Sequence, residues 1–185
     1  MADHRTETTQ RSDAAAGAAS LKALQAPFKE KYRSDPAAAR LTLRARGRAS
    51  GLSCKVETGR ALVEAGLHAA TGGDGSLACS GDMLLEALVA CAGVTLRAVA
   101  TAIGVTLGEV TVVAEGDLDF RGTLGIAKEA KVGFEAIRLR FEADGDASEE
   151  QWATLQRLTE RYCVVLQTLR ATPPVDVTLL ARPAR

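Results

Sequence analysis

Residues 82–104 read DMLLEALVACAGVTLRAVATAIG. Apolar side chains recur through the stretch at the three- and four-residue spacing of a helix. Ser80 precedes it as a candidate cap, Asp82 suits the positive N-terminal end, and Gly104 stops it. The predicted helix, from about Asp82 to Ile103, is apolar around most of its circumference, so it belongs inside a fold rather than on its surface. Its one thiol, Cys91, has Ala87, Leu88, Val94 and Thr95 as helical neighbours. That seat suits a small buried hydrophobe, because free cysteine packs well among apolar groups and is inert there. It equally suits a reactive thiol with an apolar substrate, provided that a cation lies near enough to lower the thiol pKa. Local pattern leaves both readings open.

Upstream of this helix the hydrophobic period changes to two. In RLTLRARGR, Leu41, Leu43 and Ala45 oppose Thr42, Arg44 and Arg46, as in a half-buried strand. SCKVET alternates in the same way, and with RALVEAG the three runs predict a strand meander. ATGGDGSLACSGD then forms a glycine-rich loop that lacks the spacing of a phosphate-binding motif. Downstream, EVTVVAEGDLDF and EAIRLRFEADG predict two strands, with RGTLGIAKEAKVG as the loop or hairpin arm between them. SEEQWATLQRLTERYCVVLQTLRAT predicts a helix capped by Ser148, with a break near Cys163. Pro173-Pro174 ends it, and VDVTLLA predicts a closing strand. The order of elements gives an α+β fold with helices packed against a curved antiparallel sheet. Residues 1–19 are polar and alanine-rich without period and are predicted to be disordered. Residues 20–39 make a helical extension, and residues 40–185 hold the folded domain.

Composition narrows the function. The chain has 185 residues, 46% hydrophobic, with 23 basic against 23 acidic side chains, so nothing draws it to nucleic acid or an anionic membrane. Within the long helix, residues 87–96 carry no charge, but a bilayer needs about 20 residues. The N-terminus has no apolar segment of the secretory kind, which points to the cytoplasm, where the four cysteines start as thiols. No CxxC is present, and His4 and His68 are too few and too scattered for a metal site, so neither metal nor cofactor is expected. Of the remaining thiols, Cys54 shares a strand face with Val56, Cys79 lies in the glycine-rich loop, and Cys163 stands beside Glu160 and Arg161.

A thiol in LLEALVACAGVTL, followed by a second in RYCVVLQTL, resembles the OsmC/Ohr family of thiol-dependent peroxidases over roughly residues 41–181. The resemblance implies an intertwined homodimer that reduces organic hydroperoxides at two interface sites. It implies that Cys91 is peroxidatic and Cys163 resolving, that Arg48 (with Arg60 as the alternate) lowers the Cys91 pKa, and that Asp82 orients the arginine. It further implies a thiol reductant, a lipoylated protein or a small dithiol. Two departures are visible: Gly81 stands where the family places a glutamate, and Cys163-Val164 where it often has Cys-Pro. The chemistry makes its own demands. At a reference pKa near 8.5 only about 3% of a thiol is ionised at pH 7, so something must stabilise the thiolate. The sulfenic acid that peroxide leaves behind must also find a second thiol nearby. A competing expectation on the same fold is a dimeric protein that binds a lipid or metabolite in the apolar pocket, with structural cysteines.

Overall fold

The computed structural model describes residues 46–50, 53–58, 61–125 and 127–181, together with the single positions Ala19, Ala23, Ala26 and Ser34, whose backbone is helical. The tail expected over residues 1–19 and most of the extension expected over 20–39 lie outside the described residues. The central helix runs as α1, Ser80–Ile103. One face of it, Leu88, Ala92, Leu96, Val99 and Ala100, is buried. Gly104 ends it at φ 75°, the left-handed geometry that glycine adopts without strain, and its N–H bonds back to Ala100 and Thr101. Ser80 is not the cap. Strand β4, Ala78–Cys79, runs directly into the helix, so Cys79 takes the cap position without a side-chain hydrogen bond and Ser80 is already helical. By length and composition α1 could cross a bilayer, with mean hydropathy 1.8 over its most apolar window. Here it is the core helix, packed against one sheet and two other helices.

That sheet is a long hairpin. Strands β5, Leu107–Leu118, and β6, Phe134–Gly145, pair antiparallel with Val112 opposite Phe141 and Ala114 opposite Leu139. Alternation decides its faces: Ile137, Leu139 and Phe141 turn to the core, while Arg138 and Arg140 meet Glu115, Asp117 and Glu142 in solvent. Gly116 is required where the Phe134 ring crosses it, because a Cβ there would stand 2.4 Å from a ring carbon. The connection carries one short helix, α2, Phe120–Thr123. The second sheet is the meander β1, Arg46–Ser50, β2, Ser53–Thr58, and β3, Ala61–Gly66, extended by β4. β1 to β3 pair antiparallel; β4 joins β3 in parallel. The chief contact of this sheet with the helices is β4 against α1.

The C-terminal helix is two helices, α3, Glu149–Tyr162, and α4, Val164–Arg170. Ser148 and Gln151 close a capping box at the start of α3, with bonds of 3.2 and 2.9 Å. Beyond α4 the expected closing strand is not formed. Residues 172–181 form neither helix nor strand and have no ladder partner among the described residues. Val175, Val177 and Leu179 alternate as foreseen but stand 78%, 89% and 92% exposed. A strand exists only through its neighbour, and the described residues present none to the segment.

Two clusters make the core. Leu96, Val99, Ala100, Val105 and Leu155 fill one end; Leu88, Ala92 and Cys163 fill the other, against Cys91, Ile137, Leu139 and Leu166. Leu88 is wholly buried at the second. Leu88→Ala is expected to cost about 2–5 kcal/mol through lost contact and a residual cavity, as read from chemical denaturation.

Candidate functional site

The second cluster brings two thiols together. Cys91 lies on α1, half-buried, and Cys163 lies at the joint of α3 and α4, wholly buried. The two side chains pack in one cluster, and both are free thiols. The joint is built from one residue. Cys163 adopts φ −72°, ψ 105°, so it closes α3 by giving its N–H to the Thr159 carbonyl oxygen at 3.0 Å. It also opens α4 by accepting from the Gln167 N–H at 2.9 Å. Two side chains brace the corner: Gln167 Nε2 donates to the Glu160 carbonyl oxygen at 2.7 Å, and Arg170 pairs with the Glu160 carboxylate at 2.9 Å.

The break has an electrostatic consequence. The first N–H groups of any helix lack partners inside it. At the start of α4 those of Val164 and Val165 are directed to the Cys91 sulfur. Burial pushes the Cys91 thiol up. Hydrogen bonds to its sulfur from the Val165 N–H, the Cys163 S–H and the Val164 N–H outweigh burial, and the net direction is down. Thr95 is also close, but its single hydroxyl proton is committed to the Cys91 carbonyl oxygen at 2.7 Å. Cys163 moves the other way. Burial raises it most, the Leu166 N–H opposes that, and the hydrogen bond it gives to Cys91, with the charge there, holds its proton in place. Of the two thiols, Cys91 is therefore the one that ionises first.

The other expected site residues lie apart. Arg48 has its backbone in β1, opposite Lys55 of β2, with its side chain outside the described residues; Arg60 lies outside them altogether. Among the described residues no Lys, Arg or His acts on the Cys91 sulfur. Asp82 is exposed in the first turn of α1. Nine helical residues put it about 13 Å along the axis from Cys91 and roughly half a turn round it. It lines a separate cavity of about 360 Å³ with His68, Cys79, Gly81 and Phe134. A Cβ at Gly81 would stand at ordinary contact distance from Phe134 and Cys79, 3.5 and 3.6 Å away. A second cavity, of about 400 Å³, opens beside the thiol cluster between β6 and the α3–α4 corner. Phe134, Ile137, Leu139, Phe141, Leu166 and Leu169 wall it, and Gln156, Glu160 and Arg170 form its polar end.

Sequence reasoning missed the backbone donors. It sought a cation for Cys91, and the donors are amide hydrogens that no residue type announces. One signal was in view: Val164 has an N–H where a proline would have none.

An α+β domain with two thiols meeting on a buried helix is the class that these features define. A model of the family described as OsmC-like protein matches residues 73–178, more than half of the chain, and the chain belongs to that family. Solved structures agree on the fold. An OsmC-like protein from Mycoplasma pneumoniae is similar at 17% identity and TM-score 0.59, covering 71% of this chain and 89% of its own. An organic hydroperoxide resistance protein OsmC from Legionella pneumophila is 19% identical at TM-score 0.56, covering 71% and 90%. One from Elizabethkingia anophelis is 18% identical at TM-score 0.55, covering 72% and 91%. No curated protein matches the sequence.

Val164→Pro isolates one donor. Proline is tolerated at the first position of a helix, and Cys163 already has the extended backbone that a residue before proline requires. Removing an N–H that favours the thiolate must raise the Cys91 pKa. Alkylation of Cys91, followed by peptide mass spectrometry across pH, is expected to show a midpoint at higher pH than wild type and a slower rate at neutral pH. An unchanged midpoint would mean that this N–H does not hold the sulfur.

Proposed function

We propose that the protein reduces organic hydroperoxides with Cys91 as the attacking and Cys163 as the resolving thiol. The observation that carries this reading is that Cys91 of α1 and Cys163 of the α3–α4 corner pack together in one buried cluster; the lowered Cys91 and raised Cys163 pKa agree with it. An inert structural cysteine has no use for a lowered pKa. The names of the similar Legionella and Elizabethkingia proteins, both organic hydroperoxide resistance proteins, support it.

The Cys91 thiolate attacks one peroxide oxygen; the O–O bond breaks, the alcohol leaves with a proton, and Cys91 becomes a sulfenic acid. The Cys163 sulfur then attacks the Cys91 sulfur. The S–O bond breaks, the Cys163 proton departs with the hydroxyl as water, and a disulfide remains. Two electrons have passed from the thiols to the hydroperoxide. A dithiol reductant, of the lipoylated or small-molecule class, returns them. The 400 Å³ cavity beside the thiol cluster, which neither cysteine lines, offers apolar walls for the organic group. No cofactor takes part.

We also propose a homodimer in the cytoplasm, with the domain spanning residues 40–185. Supporting it are the meander, joined to its own helices chiefly through β4, and the unpaired apolar segment 172–181. Val94, 72% exposed on the core helix, points the same way. In such an assembly Arg48 would add a cation to the backbone donors.

Cumene hydroperoxide is expected to be consumed faster than hydrogen peroxide in a coupled dithiol assay, because only the former gains from apolar contact. Cys91→Ser abolishes turnover. Cys163→Ser retains the first attack and leaves Cys91 as sulfenic acid, then sulfinic acid at excess peroxide, by intact mass. A Cys91→Ser protein that still turns over would end this reading.

A further inference from the structure

Among the described residues Thr159 carries the one fully buried side-chain polar atom without a hydrogen-bond partner. The residue is 1% exposed. Its isolation is not a habit of threonine in these helices. Thr95, Thr101 and Thr168 each give their hydroxyl to the carbonyl oxygen one turn back, at 2.7, 2.9 and 2.9 Å. Thr159 does not, and a buried hydroxyl with its proton uncommitted is costly to keep.

Its neighbour supplies a reason. Thr159 stands one turn before Cys163, and their backbones are joined by the Cys163 N–H bond to the Thr159 carbonyl oxygen. Residues four apart share a helix face, with Cβ atoms about 5–6 Å from each other. We infer that Thr159 is a positioning residue for the second half of the reaction, its hydroxyl donating to the Cys163 sulfur as that thiol loses its proton to attack the Cys91 sulfenic acid. The inference rests on the resolving role proposed for Cys163.

The surroundings make such a donor necessary. In the reduced protein Cys163 is neutral and gives its proton toward Cys91. Once Cys91 carries a hydroxyl, negative charge must build on a sulfur that is 0% exposed. The apolar cluster that holds it takes Val112, Ala114, Ile137, Leu139 and Phe141 from β5 and β6. Cys91, on α1, is the titratable group that faces it; Glu160, on α3, is engaged by Gln156 and Arg170. The Leu166 and Val165 N–H groups of α4 are its only other donors among the described residues. In the reduced protein the Thr159 hydroxyl makes no hydrogen bond to the Cys163 sulfur; it would join these donors as charge builds there.

The test reads Cys163 alone. In a Cys91→Ala background with [¹³Cβ]cysteine, the Cys163 resonance is titrated by NMR in full-length protein. Thr159→Val is expected to move its midpoint upward by about one pH unit, and Thr159→Ser to restore it. With Cys91 present, Thr159→Val is expected to leave sulfenic acid formation at its wild-type rate and to slow disulfide formation several-fold, with Thr159→Ser again restoring the rate. A midpoint unmoved in Thr159→Val, or a shift that serine does not reverse, overturns the inference. Because the titration needs no peroxide, a shifted midpoint in a protein whose wild type is inert to hydroperoxide would locate the failure in the peroxidase reading. It would remove the resolving role of Thr159 with it.

Discussion

The chemistry turns on a helix that is interrupted at one residue. Had α3 continued through Cys163, the N–H groups of Val164 and Val165 would have been used up within the helix. The change of ψ at Cys163 frees them, and the packing of α1 against the corner places the Cys91 sulfur where they point. One local backbone feature thus distinguishes two otherwise similar thiols. Burial acts on both in the same direction; the amide donors and the Cys163 S–H reverse it for Cys91.

The corner is in turn held by its surroundings. Glu160 collects the Gln156 amide, the Arg170 guanidinium and, at its carbonyl, the Gln167 side chain, so α3 and α4 are fixed relative to each other on the solvent side. On the inner side Leu88 and Ala92 press against Cys163. These groups do no chemistry, yet they keep two thiols in one cluster and an organic-sized cavity open beside them.

Much of this was legible in the sequence. The glycine stop of α1, the alternation along β6 and the Ser148 cap all follow from local rules; α1 reads as apolar around most of its circumference but is buried on one face, and the two site cysteines were singled out by a family resemblance rather than by local pattern. What local rules could not supply falls into two kinds. Val175, Val177 and Leu179 have the period of a strand, but period says nothing of a partner, and the segment is unpaired here. A charged side chain was sought beside Cys91; among the described residues the groups that lower its pKa include main-chain N–H groups, which every residue but proline possesses. Asp82 illustrates the limit of counting along a chain. It is near Cys91 in sequence, yet the pitch of α1 sets it on another side of the helix, in the cavity of His68 and Cys79.

The central claim is an order of ionisation, Cys91 before Cys163, set by hydrogen bonds rather than by exposure. A ¹³Cβ NMR titration of both cysteines in the unmutated, reduced protein tests it most directly. The account predicts that the Cys91 resonance moves at a pH below that of a cysteine in the unfolded chain, and the Cys163 resonance at a pH above it. Two resonances moving together at the unfolded value, or Cys163 moving first, would contradict it.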